Sequence, residues 1–147
     1  MISIDTNLLF HAFAQDRPEH LKAFSWISDQ ANNSTILISE FILIEFYTLL
    51  RNPSVLKNPL SAKEAGEVIK TYRHHPTWRL VGFPSQSQEI HDELHHLMTK
   101  QGVAFRRIYD TRTALSLRRF GVTDFATCNV KDFQGFGFKK VWNPLVE

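Results

Sequence analysis

The stretch Met1-Ile2-Ser3-Ile4-Asp5-Thr6-Asn7 decides how this chain folds. Ile2 and Ile4 flank Ser3 in a β-favouring run that ends on an acid. Leu8, Leu9, Phe10 and Phe13 then follow at helical spacing. A strand that ends on a carboxylate and turns into a helix puts that carboxylate at the C-terminal edge of a sheet. In open α/β sheets, ligands bind outside that edge. Each later segment therefore matters for whether it carries another carboxylate back to Asp5.

With 147 residues, 43% hydrophobic and 22% charged, the chain has the size and balance of one globular domain, expected to span residues 1–147. A formal charge of +2 permits an anionic partner without arguing for one. The single Cys128 excludes an internal disulfide and points to a reducing, cytoplasmic compartment. No apolar run reaches membrane-spanning length, and no basic flank precedes a signal-like core. A soluble domain with no membrane partner is expected.

Outward from Asp5, the first helix is expected to end near Gln15. Asp16-Arg17-Pro18-Glu19 reads as the capping box of a second helix with a buried stripe of Leu21, Phe24, Trp26 and Ile27. Thr35 to Ile38 has the length of a buried strand. Ser39 caps a third helix that ends before Pro53 and carries Glu45 in its middle. Ser61 and Glu64 form another capping box, for a helix to about Arg73. Trp78 to Phe83 reads as a strand. Ile90, Leu94, Leu97 and Met98 mark a helix stopped by Gly102. Ala114, Leu115 and Leu117 mark the next, opened by Asp110 and stopped by Gly121. Val122 to Thr127 and Lys140 to Trp142 are strands on either side of a loop from Asn129 to Gly137. Strands alternating with helices predict a parallel sheet covered on both faces.

That winding returns strand ends to one edge of the sheet. Asp5, Glu45, Asp110, Asn129 and Asp132 are then set to converge. Crowded carboxylates repel unless a cation binds or some are protonated. A set of hard oxygen ligands without thiolates suits magnesium or manganese, which position phosphates and activate water.

These residues resemble the PIN-domain ribonucleases, specifically the VapC-type toxins of bacterial toxin–antitoxin pairs. The resemblance rests on Ile4-Asp5-Thr6-Asn7, Ile38-Ser39 with Glu45-Phe46-Tyr47, and Tyr109-Asp110. It continues through Gly121-Val122-Thr123, Thr127-Cys128-Asn129-Val130-Lys131-Asp132-Phe133, Gly135-Phe136-Gly137-Phe138 and Val141-Trp142-Asn143-Pro144. It implies a three-layer α/β/α sandwich around a mainly parallel sheet and a magnesium-dependent endoribonuclease, with manganese as a substitute. It also implies an RNA substrate, a cognate antitoxin and a homodimer. Asp5, Glu45 and Asp110 match the family's first three acids. Many relatives have an aspartate where Asn129 stands, which leaves Asp132 to complete the catalytic set or Asn129 to give the metal a neutral oxygen beside Asp5 and Asp110. Thr6, Asn7, Thr127 and Arg112 are candidates for positioning substrate, although capping and turn roles suit the first three equally.

Other features point elsewhere. Arg106, Arg107, Arg112, Arg118 and Arg119 cluster near Asp110, as a phosphate track or a solvated face. His91 and His95 have metal-ligand spacing but no third ligand, and Cys128 has no defined base. Trp26, Trp78 and Trp142 read as core. A haloacid-type phosphatase needs an acid at the position of Asn7, and a receiver domain needs paired acids beside Asp5. The non-enzyme alternative is a degenerate PIN domain that binds RNA or protein without cutting, its metal lost with the acid at position 129.

Overall fold

The computed structural model describes residues 1–146. Five strands of three residues each form the middle layer: β1 Ile2–Ile4, β2 Leu37–Ser39, β3 Arg79–Val81, β4 Asp124–Ala126 and β5 Lys140–Trp142. Between them run α1 Thr6–Phe13, α2 His20–Asp29, α3 Glu40–Leu50, α4 Ala62–Arg73, α5 Ser87–Met98 and α6 Arg107–Arg119. A short 3-10 helix, Val130–Phe133, follows β4.

Every ladder is parallel. Ile4 lies opposite Ala126, Phe125 opposite Val141, and Ile38 opposite Leu80. The β2–β3 pair joins the other three strands through one bridge between Ile2 and Ile36. There the Ile2 amide donates to the Thr35 carbonyl at 3.0 Å. The strand order is β3-β2-β1-β4-β5, so the direction of winding reverses between β1 and β4. Right-handed crossovers then set α1 to α4 on one face and α5 and α6 on the other, which gives the expected three layers.

Local chemistry explains the element ends that matter for the site. The Ser39 hydroxyl accepts from the Phe41 amide at 3.1 Å and starts α3. Phe41, Ile42, Leu43, Phe46 and Leu50 of α3 are buried, which leaves Ile44, Glu45 and Thr48 on its open side. The capping box of Ser61 and Glu64 forms as the sequence predicts. Helix α6 stops where Gly121 takes φ +85°, a conformation that favours a residue without Cβ.

Two expectations fail in the same region. Helix α1 ends at Phe13, two residues early, and residues 14–20 continue in tight turns, with Arg17 N–H on the Ala14 carbonyl and His20 N–H on that of Arg17. With the chain in those turns, Asp16 to Glu19 form no capping box, and α2 starts at His20 with Glu19 as its uncapped N-terminal flank. The buried stripe also differs. Ala23 is buried with Trp26 and Ile27 packed beside it, whereas Leu21 is 79% and Phe24 57% exposed. Positions 23, 26 and 27 form one helical face, and the small Ala23 lets α2 approach α1 closely; the larger side chains at 21 and 24 lie on the other face. Trp78 is a core residue, its indole N–H donating to the Gln30 carbonyl at 2.8 Å. Trp26 and Trp142 are half-buried and meet edge to face.

Candidate active site

Asp5 follows directly on β1, at the point where the sheet order reverses. Its Oδ1 accepts from the Thr6 amide at 2.8 Å and so caps α1. Its Oδ2 accepts from the Thr127 hydroxyl at 2.6 Å and from the Asn7 side-chain Nδ2 at 3.1 Å. Thr127, just past β4, in turn accepts from the Asn129 amide at 2.9 Å, and the Asn7 side-chain oxygen accepts from the Cys128 amide at 3.2 Å. These bonds lace the ends of β1 and β4 together. Asp5 is only 7% exposed. Burial, with Glu45 and Asp110 adding like charge, pushes its carboxyl up to about 7, although the bonds from Thr127 and Thr6 favour the ionised form.

Thr6 links this buried acid to the next. Its hydroxyl lies 3.3 Å from Glu45 Oε2 and equally far from the Ile42 carbonyl, so one proton is shared between them. Glu45 faces outward into a cleft of about 480 Å³ between α3 and α6. The α3 side supplies Phe41, Ile44, Glu45 and Thr48. The α6 side supplies Tyr109, Asp110, Arg112 and Thr113, with Arg106 and Asn129 at the margin. Burial and the Asp110 charge raise the Glu45 pKa, against Thr6, Arg112 and Arg106. Burial and Asp132 raise that of Asp110, against Arg107. Asp5 lies behind the lining, and Asp132 is exposed on the 3-10 helix.

The four acids feel one another's charge without drawing together. Among the described residues, no three His, Cys, Asp or Glu side chains are gathered as a ready metal site, and no salt bridge neutralises any of the four. The donors are all hard oxygens, and their mutual repulsion is relieved by a small divalent cation or by protons. That chemistry fits magnesium or manganese.

The remaining sequence candidates separate. Arg106 and Arg112 line the cleft, while Arg107 stacks over Phe136, Arg118 donates to the Val122 carbonyl and Arg119 pairs with Glu89. His91 bonds the Ser87 carbonyl one turn back, and His95 is exposed on the same helix. Burial, with Asp5 and Glu19 nearby, pushes the Cys128 thiol up to about 11, which makes it a poor nucleophile. Sequence reasoning missed Phe41, Ile44 and Tyr109 as cleft residues. The spacing of Phe41, Ile44, Glu45 and Thr48 at i, i+3, i+4 and i+7 was the available signal.

Comparison with known proteins gives the family. The family profile described as PIN domain matches residues 2–115. The chain belongs to the PIN-domain family. Ribonuclease VapC24 of Mycobacterium tuberculosis is 40% identical over 145 residues, covering 99% of this chain and 97% of that protein. Two solved structures share the PIN fold at low identity. Mycobacterium tuberculosis VapC20, a Sarcin-Ricin loop cleaving toxin, matches with a TM-score of 0.67 at 16% identity, over 94% of this chain and 96% of that one. VapBC2 from Rickettsia felis, bound to a DNA fragment from its promoter, matches with a TM-score of 0.66 at 17% identity, over 97% and 98%. Among the described residues of this PIN domain, no helix is long and apolar enough to cross a membrane.

Proposed function

We propose that this PIN domain is a magnesium-dependent endoribonuclease, the toxin of a toxin–antitoxin pair. The observation that carries the reading is a buried Asp5, its carboxyl pushed to about 7 by burial and by Glu45 and Asp110 beside a cleft of hard oxygen donors. Structural groups are seldom held in like-charge company at this cost, whereas functional ones often are. The kinship with Ribonuclease VapC24 supports RNA as substrate. The fold shared with a VapBC complex supports a cognate antitoxin, and the resemblance to VapC-type toxins implies a homodimer.

Asp5, Asp110 and Asn129 would hold the ion, with Asp132 adding negative charge from the 3-10 helix. When bound, the ion supplies positive charge against the phosphate and lowers the pKa of water. Glu45 faces the cleft with its proton affinity raised, as suits a group that takes a proton from the attacking water. Thr6 orients Glu45, while Thr127 and Asn7 fix the Asp5 carboxylate. In-line attack on the phosphodiester would leave a 5′-phosphate and a 3′-hydroxyl.

Asn129, standing where many relatives carry an acid, favours a second reading: a degenerate domain that binds RNA without cutting. Purified protein with bulk RNA separates the two. The proposal expects cleavage with magnesium or manganese, none in excess chelator, no rescue by calcium, and none from Asp110→Asn. Cleavage that survives chelation sinks the metal mechanism. Bound but intact RNA under all metals favours the degenerate domain.

A further inference from the structure

Resting on the ribonuclease reading, we infer that Arg112 seats a phosphate of the RNA in the cleft, presented by the rings of Phe41 and Tyr109. The Arg112 guanidinium carbon lies 4.2 Å from the centre of the Phe41 ring on α3 and 5.8 Å from that of Tyr109 on its own helix. Helices from the two sides of the cleft thus meet at this one cation. Its Nε is buried without a hydrogen-bond partner. Among the described residues, no carboxylate comes within ion-pair distance of it.

Other arginines of the chain are spent differently. Arg73 and Arg119 pair with Glu40 and Glu89, and Arg118 donates to the Val122 carbonyl. A guanidinium stacked on aromatic faces is held in place by the rings while its N–H donors stay free. Phosphate accepts two parallel hydrogen bonds from such a fork. A buried donor without a partner is costly, so a guanidinium held this way is not explained by packing alone. The cleft also requires a cation for entry, because a polyanion approaching Glu45 and Asp110 is otherwise repelled. Arg106, exposed at the margin with no partner of its own among the described residues, adds charge there but has no platform to aim it.

The opposing account makes Arg112 a packing residue that neutralises Glu45 and ties α3 to α6. Salt dependence of RNA binding separates the two. The assay is fluorescence anisotropy of a labelled single-stranded RNA with the whole protein in chelator, across a salt series. Each phosphate contact on a single strand contributes about 0.7 to the slope of log affinity against log salt. Arg112→Gln is expected to flatten the slope by about 0.7 and to weaken binding at least about tenfold at low salt. Arg112→Lys and Phe41→Leu keep the charge but lose the aimed fork. Their expected result is a slope near that of the wild type with affinity reduced several-fold.

Arg112→Gln that melts with the wild type and binds RNA with unchanged slope and affinity overturns the inference, while cleavage by the wild type leaves the ribonuclease reading standing. Wild-type protein that neither binds nor cuts RNA removes that reading first. Should Arg112→Gln fail to fold, the other two variants decide, and binding as tight as wild type in both overturns the inference.

Discussion

Asp5→Asn in metal-free protein gives the sharpest test of a crowded acidic site. In the folded chain the Asp5 carboxyl is raised from 3.8 to about 7. At ~1.4 kcal/mol per pH unit, ionising it there is about 4 kcal/mol harder than in the unfolded chain. Below pH 3.8 the acid is protonated in both states and nothing is lost. As pH rises, the unfolded chain ionises first, so stability falls across the window from about 4 to about 7 and then levels off. Asparagine carries no such penalty. It keeps the bond from the Thr6 amide but turns an NH2 toward the Thr127 hydroxyl and the Asn7 side-chain NH2, at a pH-independent cost of about 1–3 kcal/mol. The mutant is therefore expected to melt below wild type near pH 4 and to catch or pass it near pH 8. At about 2–4 °C per kcal/mol for a domain of this size, the difference in melting temperature moves by roughly 10 °C between those limits. The assay is thermal melting followed by circular dichroism in chelator. Magnesium added at pH 8 is expected to raise the wild type more than the mutant, since the ion binds the folded form. Parallel curves for the two proteins across the whole pH range would refute the reasoning.

Other outcomes are open to measurement. Asn129→Asp is expected to shift the magnesium midpoint of RNA cleavage to lower concentration and Asp132→Ala to higher. If neither moves it, the loop after β4 is structural only. Ser39→Ala removes the bond to the Phe41 amide and is expected to cost about 1 kcal/mol, a drop of about 2–4 °C in melting. With its thiol pushed up to about 11, Cys128 is expected to resist alkylation at pH 8 in the folded protein and to react freely in denaturant.

The parts legible in the sequence were those governed by local rules. Strand, acid and helix in Ile4-Asp5-Thr6 placed Asp5 at a sheet edge, and α/β winding then returned Asp110 and Asn129 to it. Ser39 and Ser61 announced their helices because an N-cap is a contact within a few residues. Asp16 to Glu19 carried the same signature without the structure, because the chain there runs in turns from Ala14 onward and enters the helix only at His20. The exposed Leu21 and Phe24 misled for a different reason. Which face of an amphipathic helix turns inward depends on how closely its neighbour can approach, and at α2 that is set by Ala23. The stack of Phe41 on Arg112 joins positions from two helices whose separation no local pattern encodes.

The bond between Thr127 and Asp5 spans 122 positions of the chain. During synthesis the β1 strand emerges well before β4, with all of β2, β3 and the six helices made between them. The β2–β3 half with α3 and α4 is in hand well before that, so Glu45 is in place before either neighbour of Asp5 on the β4 side exists. Contacts of such long range form late. A fragment released before β4 has Asp5 without its Thr127 clasp, and one released before α6 has no cleft as well. On the ribonuclease reading, cutting power waits for the chain beyond Thr127, and a ribosome that stalls before it makes a harmless product.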